Sequence, residues 1–354
     1  MNQELLTPED EVFLRRCLWL ARRACPSEVE PNPLVGAVIA YQGRVLGEGF
    51  HRRFGGPHAE IEALHAVKET HLLPQATLYV SLEPCCHSHK KTPPCAPVIV
   101  DVGIRRVVIG CVDPNPAVAG EGIAYLRERG VEVRLASEPT PYQRILRHFR
   151  VNITEGRPYV TLKWAQTPGP SGRYPFAGGV MGSLRQGQWP LSGFWGKVWG
   201  HRLRAAHSHI AVGFRTWHLD QPALTTRYFP GCSPRRIVFY DPHKGSVPGE
   251  GPTFYAWEKP LPEMLRDLYE HHQVGSLLVE GGSGYLNRFL AAGVYDEVHV
   301  LVSYGATSPP PEEAVWAPAW PPLTWRRIRL SKEEEVWIAR RNETLRHSFS
   351  FILS

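Results

Sequence analysis

Hydrophobic residues in the opening stretch "MNQELLTPEDEVFLRRCLWLARRAC" recur at helical spacing: Val12, Phe13, Leu14, Cys17, Leu18, Ala21 and Ala24. That spacing predicts an amphipathic helix that Thr7 caps, Pro8 opens and Asp10 completes as a capping box. The stretch lacks the basic-then-apolar order of a signal peptide. From residue 34 the period shortens. "LVGAVIA" and "RVLGEGF" flank "YQG" as the strands of a hairpin. "HAEIEALHAV" then carries a helical stripe, "ATLYVSL" reads as a strand, "CAPVIVDVG" as a short helix ended by glycine, and "RRVVIGCV" as a strand. "GIAYLRERGVEVRLA" adds a further helix and strand. This alternation predicts an α/β layer with the sheet between helices.

A polar connection and a helix occupy residues 137–158, after which a second α/β series begins at "YVTLKWA". The pattern places a domain boundary near residue 150, giving domains 1–150 and 151–354. In the second, "HIAVGF", "RRIVFY", "SLLVEGG" and "DEVHVLV" read as strands, with helices in "WGKVWGHRLRAA" and "YLNRFLAAG". Residues 168–193 and 305–325 are rich in Gly, Pro and Trp without a period, and are expected to be loops.

Composition agrees with two domains: 354 residues, 43% hydrophobic and 21% charged, suffice for two sizeable cores. No apolar run approaches the roughly 20 residues that span a bilayer, so a soluble protein without a membrane partner is expected. Seven cysteines, an odd number without regular spacing, do not form a disulfide framework and point to the reducing cytoplasm. On that reading Cys17, Cys25, Cys111 and Cys232 are buried small hydrophobes. A net charge of +6 suits an anionic ligand, but no basic run suggests a nucleic-acid partner.

The chemistry concentrates in "PHAEIEALHAV" and "SLEPCCHSHKKTPPC". His58 begins a helix, Cys85 directly follows a strand and Cys95 opens the next helix. The three can therefore converge on one point and offer one nitrogen and two sulfurs to a Zn²⁺ whose fourth position stays open. Glu60 lies two residues beyond His58, placed to take a proton from water and hand it to a leaving amine. His-x-Glu followed by Pro-Cys and a second Cys is the zinc deaminase signature. Two alternatives stand beside it: a structural zinc site completed by Cys86, His87 or His89, and metal-free reduced cysteines. A structural site leaves Glu60 without a purpose. His65 and His71 read as surface histidines.

In the second domain "SLLVEGGSGYLNRFL" sets an apolar strand, Glu280 and glycines 281, 282 and 284 before a helix, whose amino terminus attracts phosphate. No G-x-G-x-x-G follows a strand.

"LEPCCHSHKKTPPC", with "EPNPLVGAVI" before it and "DPNPAVAGEG" after it, resembles the bifunctional riboflavin-biosynthesis deaminase-reductases. So does "LRAAHSHIAVGFRTWHLDQPALTTR" in the second domain. The resemblance implies a zinc cytidine-deaminase-like three-layer α/β domain followed by a dihydrofolate-reductase-like α/β domain. It implies hydrolytic deamination of a phosphoribosylamino-substituted diaminopyrimidine, then NADPH reduction of the product's ribose to a ribityl chain. Asn32 and Lys91 match the family's substrate contacts in the deaminase, and Arg204, Leu224, Arg227 and Glu280 those in the reductase. Lys163 matches a catalytic lysine, while Ala165, Trp189, Thr216, Asp220, Gly281 and Gly282 match positions bordering NADPH. The family often forms homo-oligomers.

The chain also departs from the pattern. Its cysteine gap is one residue longer than usual, which leaves Cys86 as a rival to Cys85. "TPGPSGRYPF" replaces a Ser-Leu-Asp-Gly segment, Gly187 stands for a serine, and "YGATSPPPEEAVWAP" follows "VHVLVS" in place of a glycine-bearing strand end. A zinc deaminase of a nucleotide or tRNA base with a degenerate, non-reducing second domain is the alternative reading. Asp113 and Asn115 in "DPNP" either shape the substrate rim or make a turn.

Overall fold

The computed structural model describes residues 6–86, 93–170, 178–183, 191–244, 251–306 and 311–341. Two compact units emerge: Met1–Pro158 with Gly231–Ser233 and Arg266–Ser276, and the remainder from Tyr159 onward. The expected break near residue 150 falls inside a helix, and the chain divides between Pro158 and Tyr159 instead.

Helix α1 (Pro8–Ala21) starts as its sequence directs: Thr7 accepts from the Asp10 backbone and Asp10 accepts from the Thr7 N–H. Its apolar stripe is narrower than the spacing suggested, since Val12 is 54% exposed. Asp10 does more than cap. Buried at 1% exposure, it takes two hydrogen bonds from Arg106, at 2.7 and 2.9 Å, and one from the Tyr79 hydroxyl at 3.0 Å. Burial acts against its charge, but these bonds and the Thr7 N–H hold its carboxyl well below the usual carboxylate range.

After α2 (Pro26–Val29) come β1 (Gly36–Tyr41) and β2 (Arg44–Phe50), an antiparallel hairpin turning at Gln42–Gly43. Then follow α3 (Ala59–Ala66), β3 (Thr77–Val80), α4 (Cys95–Asp101), β4 (Arg106–Ile109), α5 (Glu121–Glu128), β5 (Glu132–Leu135), α6 (Thr140–Ile145) and α7 (Arg147–Glu155). The strands form one sheet in the order β2-β1-β3-β4-β5, parallel from β3 onward. Two glycines set its layers. A side chain at Gly36 would strike the Cys17 carbonyl of α1, and one at Gly49 would strike Ala63 of α3. Gly49 pairs with Ala37, the neighbour of Gly36, and successive residues face opposite sides of a sheet. The two helices therefore cover opposite faces, giving three layers.

Glu83 is a device that sequence reading missed. Its buried carboxylate accepts from the backbone N–H groups of Asp113, Gly120 and Ile123 at 3.0, 3.0 and 3.1 Å, tying the loop before α5 to the end of β3. Asn115 N–H in turn bonds Asp113 and Ala117 N–H bonds Asn115, so the "DPNP" segment makes Asx turns. Glu83→Ala strands three donors, and is expected to cost about 3–5 kcal/mol in urea-melt stability. A loss under about 1 kcal/mol would show that the loop holds itself.

The cysteine expectation holds for two residues and fails for two. Cys17 and Cys111 are buried, and burial raises both thiols, that of Cys111 to about 12. Cys25 is only half-buried and Cys232 exposed, and a disulfide joins them across 207 residues. Spacing along the chain carries no signal of such a pairing.

The chain continues with β6 (Tyr159–Gln166), β7 (Val180–Ser183), α8 (Phe194–Ala205), β8 (His209–Gly213), α9 (Phe214–Asp220), β9 (Arg235–Tyr240), β10 (Thr253–Ala256) and α10 (Leu261–Glu270), whose residues from Arg266 on belong to the first unit. It ends with β11 (Ser276–Glu280), α11 (Ser283–Ala292), β12 (Glu297–Ser303), β13 (Ala314–Trp316), β14 (Trp325–Arg329) and β15 (Glu334–Arg340). Eight strands run in the order β10-β9-β8-β11-β6-β12-β15-β14, with β15 antiparallel to both neighbours. The segments expected to be loops each contribute a short strand: β7 and β13 pair antiparallel as a separate ribbon.

Candidate active sites

His58 occupies the cap position of α3 in an extended backbone conformation, Cys85 follows β3, and Cys95 is the first residue of α4. Their donor atoms lie within 4.8 Å of one another. His58 Nδ1 stands 3.5 Å from Cys85 Sγ and 3.3 Å from Cys95 Sγ. Zinc bonds of about 2.1 Å to nitrogen and 2.3 Å to sulfur put tetrahedral ligands about 3.6 Å apart, so the three donors fit that ion. Backbone bonds fix the arrangement: Ala96 N–H donates to the Cys85 carbonyl at 2.9 Å, and Cys95 N–H points at Cys85 Sγ at 3.5 Å. A hydrogen bond from Cys95 above all, aided by His58, brings the Cys85 thiol down to about 4. Cys86 is not among the three, and burial raises its thiol.

Glu60 lies in the first turn of α3, 4% exposed, and burial pushes its carboxyl up. A carboxyl held toward its protonated form beside a metal site suits a group that takes and returns a proton. Asn32 sits in the turn after α2, its Nδ2 at 3.0 Å from His51 Nε2. Lys91, His87 and His89 fall outside the described residues. His65 and His71 are exposed, as expected.

In the second unit, the Arg204 guanidinium near the end of α8 donates to both Glu280 oxygens at the end of β11, at 3.2 and 2.9 Å. Lys163 Nζ approaches Glu280 to 3.8 Å from β6. Burial works to raise the Glu280 carboxyl, but Lys163 and Arg204 draw it down to about 2. Stability from this pairing is therefore present above the ordinary 4.5 and lost as pH falls toward 2. Glu280→Gln should cost most at neutral pH and progressively less below pH 4.5 in urea melts. An unchanged cost throughout would show that the pairing does not stabilise the fold.

Ala165 lies two residues beyond Lys163 on β6, hence on the same strand face. The Thr216 hydroxyl lies over the turn made by Gly281 and Gly282, where Gly281 has φ +141°, a conformation open to glycine. Gly282 caps α11 in extended backbone and, as a glycine, brings no side chain of its own to that helix start. The start of α8 is taken instead: Glu334 accepts from Gly193 N–H at 2.7 Å and Gly196 N–H at 3.3 Å. Leu224 is buried in the left-handed region at φ 53°, and Arg227 N–H donates to His201 Nδ1 at 2.7 Å. Sequence reading passed over His201. Its burial, with Arg204 and Arg227 nearby, lowers it to about 4 and keeps it neutral. Asp220 ends α9, where burial raises its carboxyl. Trp189 falls outside the described residues.

Residues 7–111 match the zinc-binding region of cytidine and deoxycytidylate deaminases, and residues 178–303 match the RibD C-terminal domain. The riboflavin biosynthesis protein RibD of Aquifex aeolicus is 34% identical over 83% of this chain and 86% of its own length. That of Synechocystis is 38% identical over 65% of this chain and 59% of its own. A Thermotoga maritima structure described as a diaminohydroxyphosphoribosylaminopyrimidine deaminase/5-amino-6-(5-phosphoribosylamino)uracil reductase superposes with TM-score 0.77. It is 31% identical and covers 94% of this chain and 98% of that one. With one family model matched in each half of the chain and the Aquifex relative alike along most of its length, the chain belongs to the RibD family, bifunctional enzymes of riboflavin biosynthesis that join a zinc-dependent deaminase to an NADPH-dependent reductase.

Proposed function

We propose that the first unit hydrolytically deaminates 2,5-diamino-6-(5-phosphoribosylamino)pyrimidin-4-one, and that the second reduces the ribosyl chain of the product with NADPH. The carrying observation is the His58, Cys85 and Cys95 cluster with buried Glu60 beside it. On this reading His58, Cys85 and Cys95 hold the zinc, which supplies the Lewis acidity that brings the pKa of water from 15.7 to about 7. Glu60 accepts the water's proton and delivers it to the departing amine. Asn32 and Lys91 hold the substrate.

In the second unit NADPH supplies hydride. Arg204, Leu224 and Arg227 position the phosphoribosyl product, Lys163 and Glu280 govern charge at the reacting carbon, and Ala165, Trp189, Thr216, Asp220, Gly281 and Gly282 border the cofactor. The strain that Leu224 holds favours this assignment, because such backbone persists where surroundings enforce it. Homo-oligomeric assembly and a cytoplasmic location belong to the same proposal. The free thiols of Cys85 and Cys95 support the latter, whereas the Cys25–Cys232 disulfide weighs against it.

The test uses purified full-length protein. Ammonia release from the aminopyrimidinone nucleotide should be abolished by a zinc chelator and absent with tRNA or cytidine nucleotides. NADPH oxidation should require the deaminated product and be slow, because the lost family segments border the nicotinamide end. Asp220→Ala should weaken it further and leave ammonia release unchanged, since each unit has its own core. Full deamination with no NADPH binding or oxidation at any product concentration would remove the reductase from the proposal.

A further inference from the structure

We propose that His51 turns the side-chain amide of Asn32 so that its Oδ1 faces the pyrimidine, making the deaminase site read an N–H on the substrate's ring edge. The proposal rests on the reading of Asn32 as a substrate contact. His51 follows β2 and is 3% exposed, its backbone N–H bonded to the Val35 carbonyl at 3.0 Å. Its Nδ1 lies 2.8 Å from the Pro57 carbonyl oxygen. A carbonyl oxygen only accepts, so Nδ1 carries the hydrogen, and in a neutral imidazole Nε2 is then an acceptor. The atom of Asn32 that stands 3.0 Å from Nε2 is its amide nitrogen, which donates to that lone pair. Its oxygen is left on the other side.

The backbone around Asn32 is pinned independently of that contact. Asn32 N–H bonds the Val29 carbonyl at 3.1 Å. Two residues earlier, the buried Glu30 carboxylate accepts from Ser276 Oγ at 2.5 Å and meets His148 Nδ1 at 2.8 Å. The same segment reaches the candidate metal donors: Pro57 precedes His58, and the His51 and His58 rings meet edge to face at 5.5 Å. One short stretch, residues 51–58, thus sets both a metal donor and the acceptor at Asn32.

The chemical consequence is a choice of edge. A 2-aminopyrimidin-4-one carries an N–H beside the carbon that bears its amino group, whereas cytosine has an unprotonated nitrogen there. An amide oxygen accepts from the first and repels the second, and a mismatched polar edge in such a site is rejected strongly. His51 is accordingly a positioning residue that acts through Asn32.

Zinc-loaded full-length protein with ¹⁵N-labelled histidine tests the tautomer directly, by two-bond ¹H–¹⁵N correlation without substrate. The expected signature for His51 is a protonated Nδ1 and a lone-pair Nε2. A double-mutant cycle tests the route of action. His51→Leu should lower kcat/KM for the aminopyrimidinone nucleotide about 10- to 100-fold at unchanged zinc content, and by less than about twofold in an Asn32→Leu background. His51→Gln, which offers an amide oxygen to Asn32, should recover most of the loss and serves if the leucine variant does not fold. A proton on Nε2, or equal losses in both backgrounds, overturns the proposal. Protein that shows the expected tautomer but releases no ammonia from the nucleotide overturns the substrate reading beneath it, and the tautomer result separates the two failures.

Discussion

Replacing Glu60 with Gln is expected to slow ammonia release by about 10²- to 10⁴-fold, the range for loss of a positioned general acid/base, while zinc content stays at that of the parent. The amide keeps the shape and burial of the carboxyl but cannot take up a proton. The three residues whose donors converge, His58, Cys85 and Cys95, are untouched by the change, so metal content should not follow activity. Burial already raises the Glu60 carboxyl, which shortens the energetic distance between its two protonation states near neutrality. Steady-state ammonia release together with metal analysis of the same preparation checks this. Unchanged turnover would end the role assigned to Glu60, and lost zinc would make Glu60 part of the metal site instead.

The second large effect separates two adjacent cysteines. Cys85→Ser is expected to lose both zinc and deamination, and Cys86→Ser to keep both. The Cys85 sulfur lies 3.5 Å from His58 Nδ1 and is bonded by the first N–H of α4, while its thiol is brought down to about 4. A thiolate is the form that binds soft or borderline metals, and a serine hydroxyl is a far poorer ligand. Burial pushes the Cys86 thiol up, as do the nearby Glu121, Cys85 and Glu83. Metal-to-protein ratios of the two variants decide the matter. The reverse pattern would move the ligand to Cys86 and shorten the gap to Cys95 by one residue.

Legibility followed the length over which a physical pattern is written into neighbouring residues. The Thr7–Asp10 capping box closes within one turn, and α1 begins where its sequence says. Every strand and helix read from the first 136 residues is found, whereas the short α2 carries no period and the single helix expected in 137–158 is broken into α6 and α7. His58, Cys85 and Cys95 were legible because each stands at the end of an element, so predicting the elements also predicted their convergence.

What escaped depended on partners far along the chain. β7 and β13, four and three residues long, have too few positions to show alternation and exist by pairing with each other. β15 hides its period because the acids Glu334 and Glu335 are buried on it. Asp10 meets Arg106 across 96 residues, Cys25 meets Cys232 across 207, and Glu83 collects donors from a loop beyond α4.

Residues close together in the chain were enough to foretell the α/β alternation, the capped first helix, the convergence of His58, Cys85 and Cys95 near Glu60, and the family whose motifs the chain carries. The folded chain was needed to show that Glu334 fills the start of α8, that His201 is lowered among cations, and that His51 lies against the Asn32 amide. Propensity and period act between residues a few positions apart. Hydrogen-bond orientation and burial of charge are instead set by whichever groups the folded chain brings within about 3 Å.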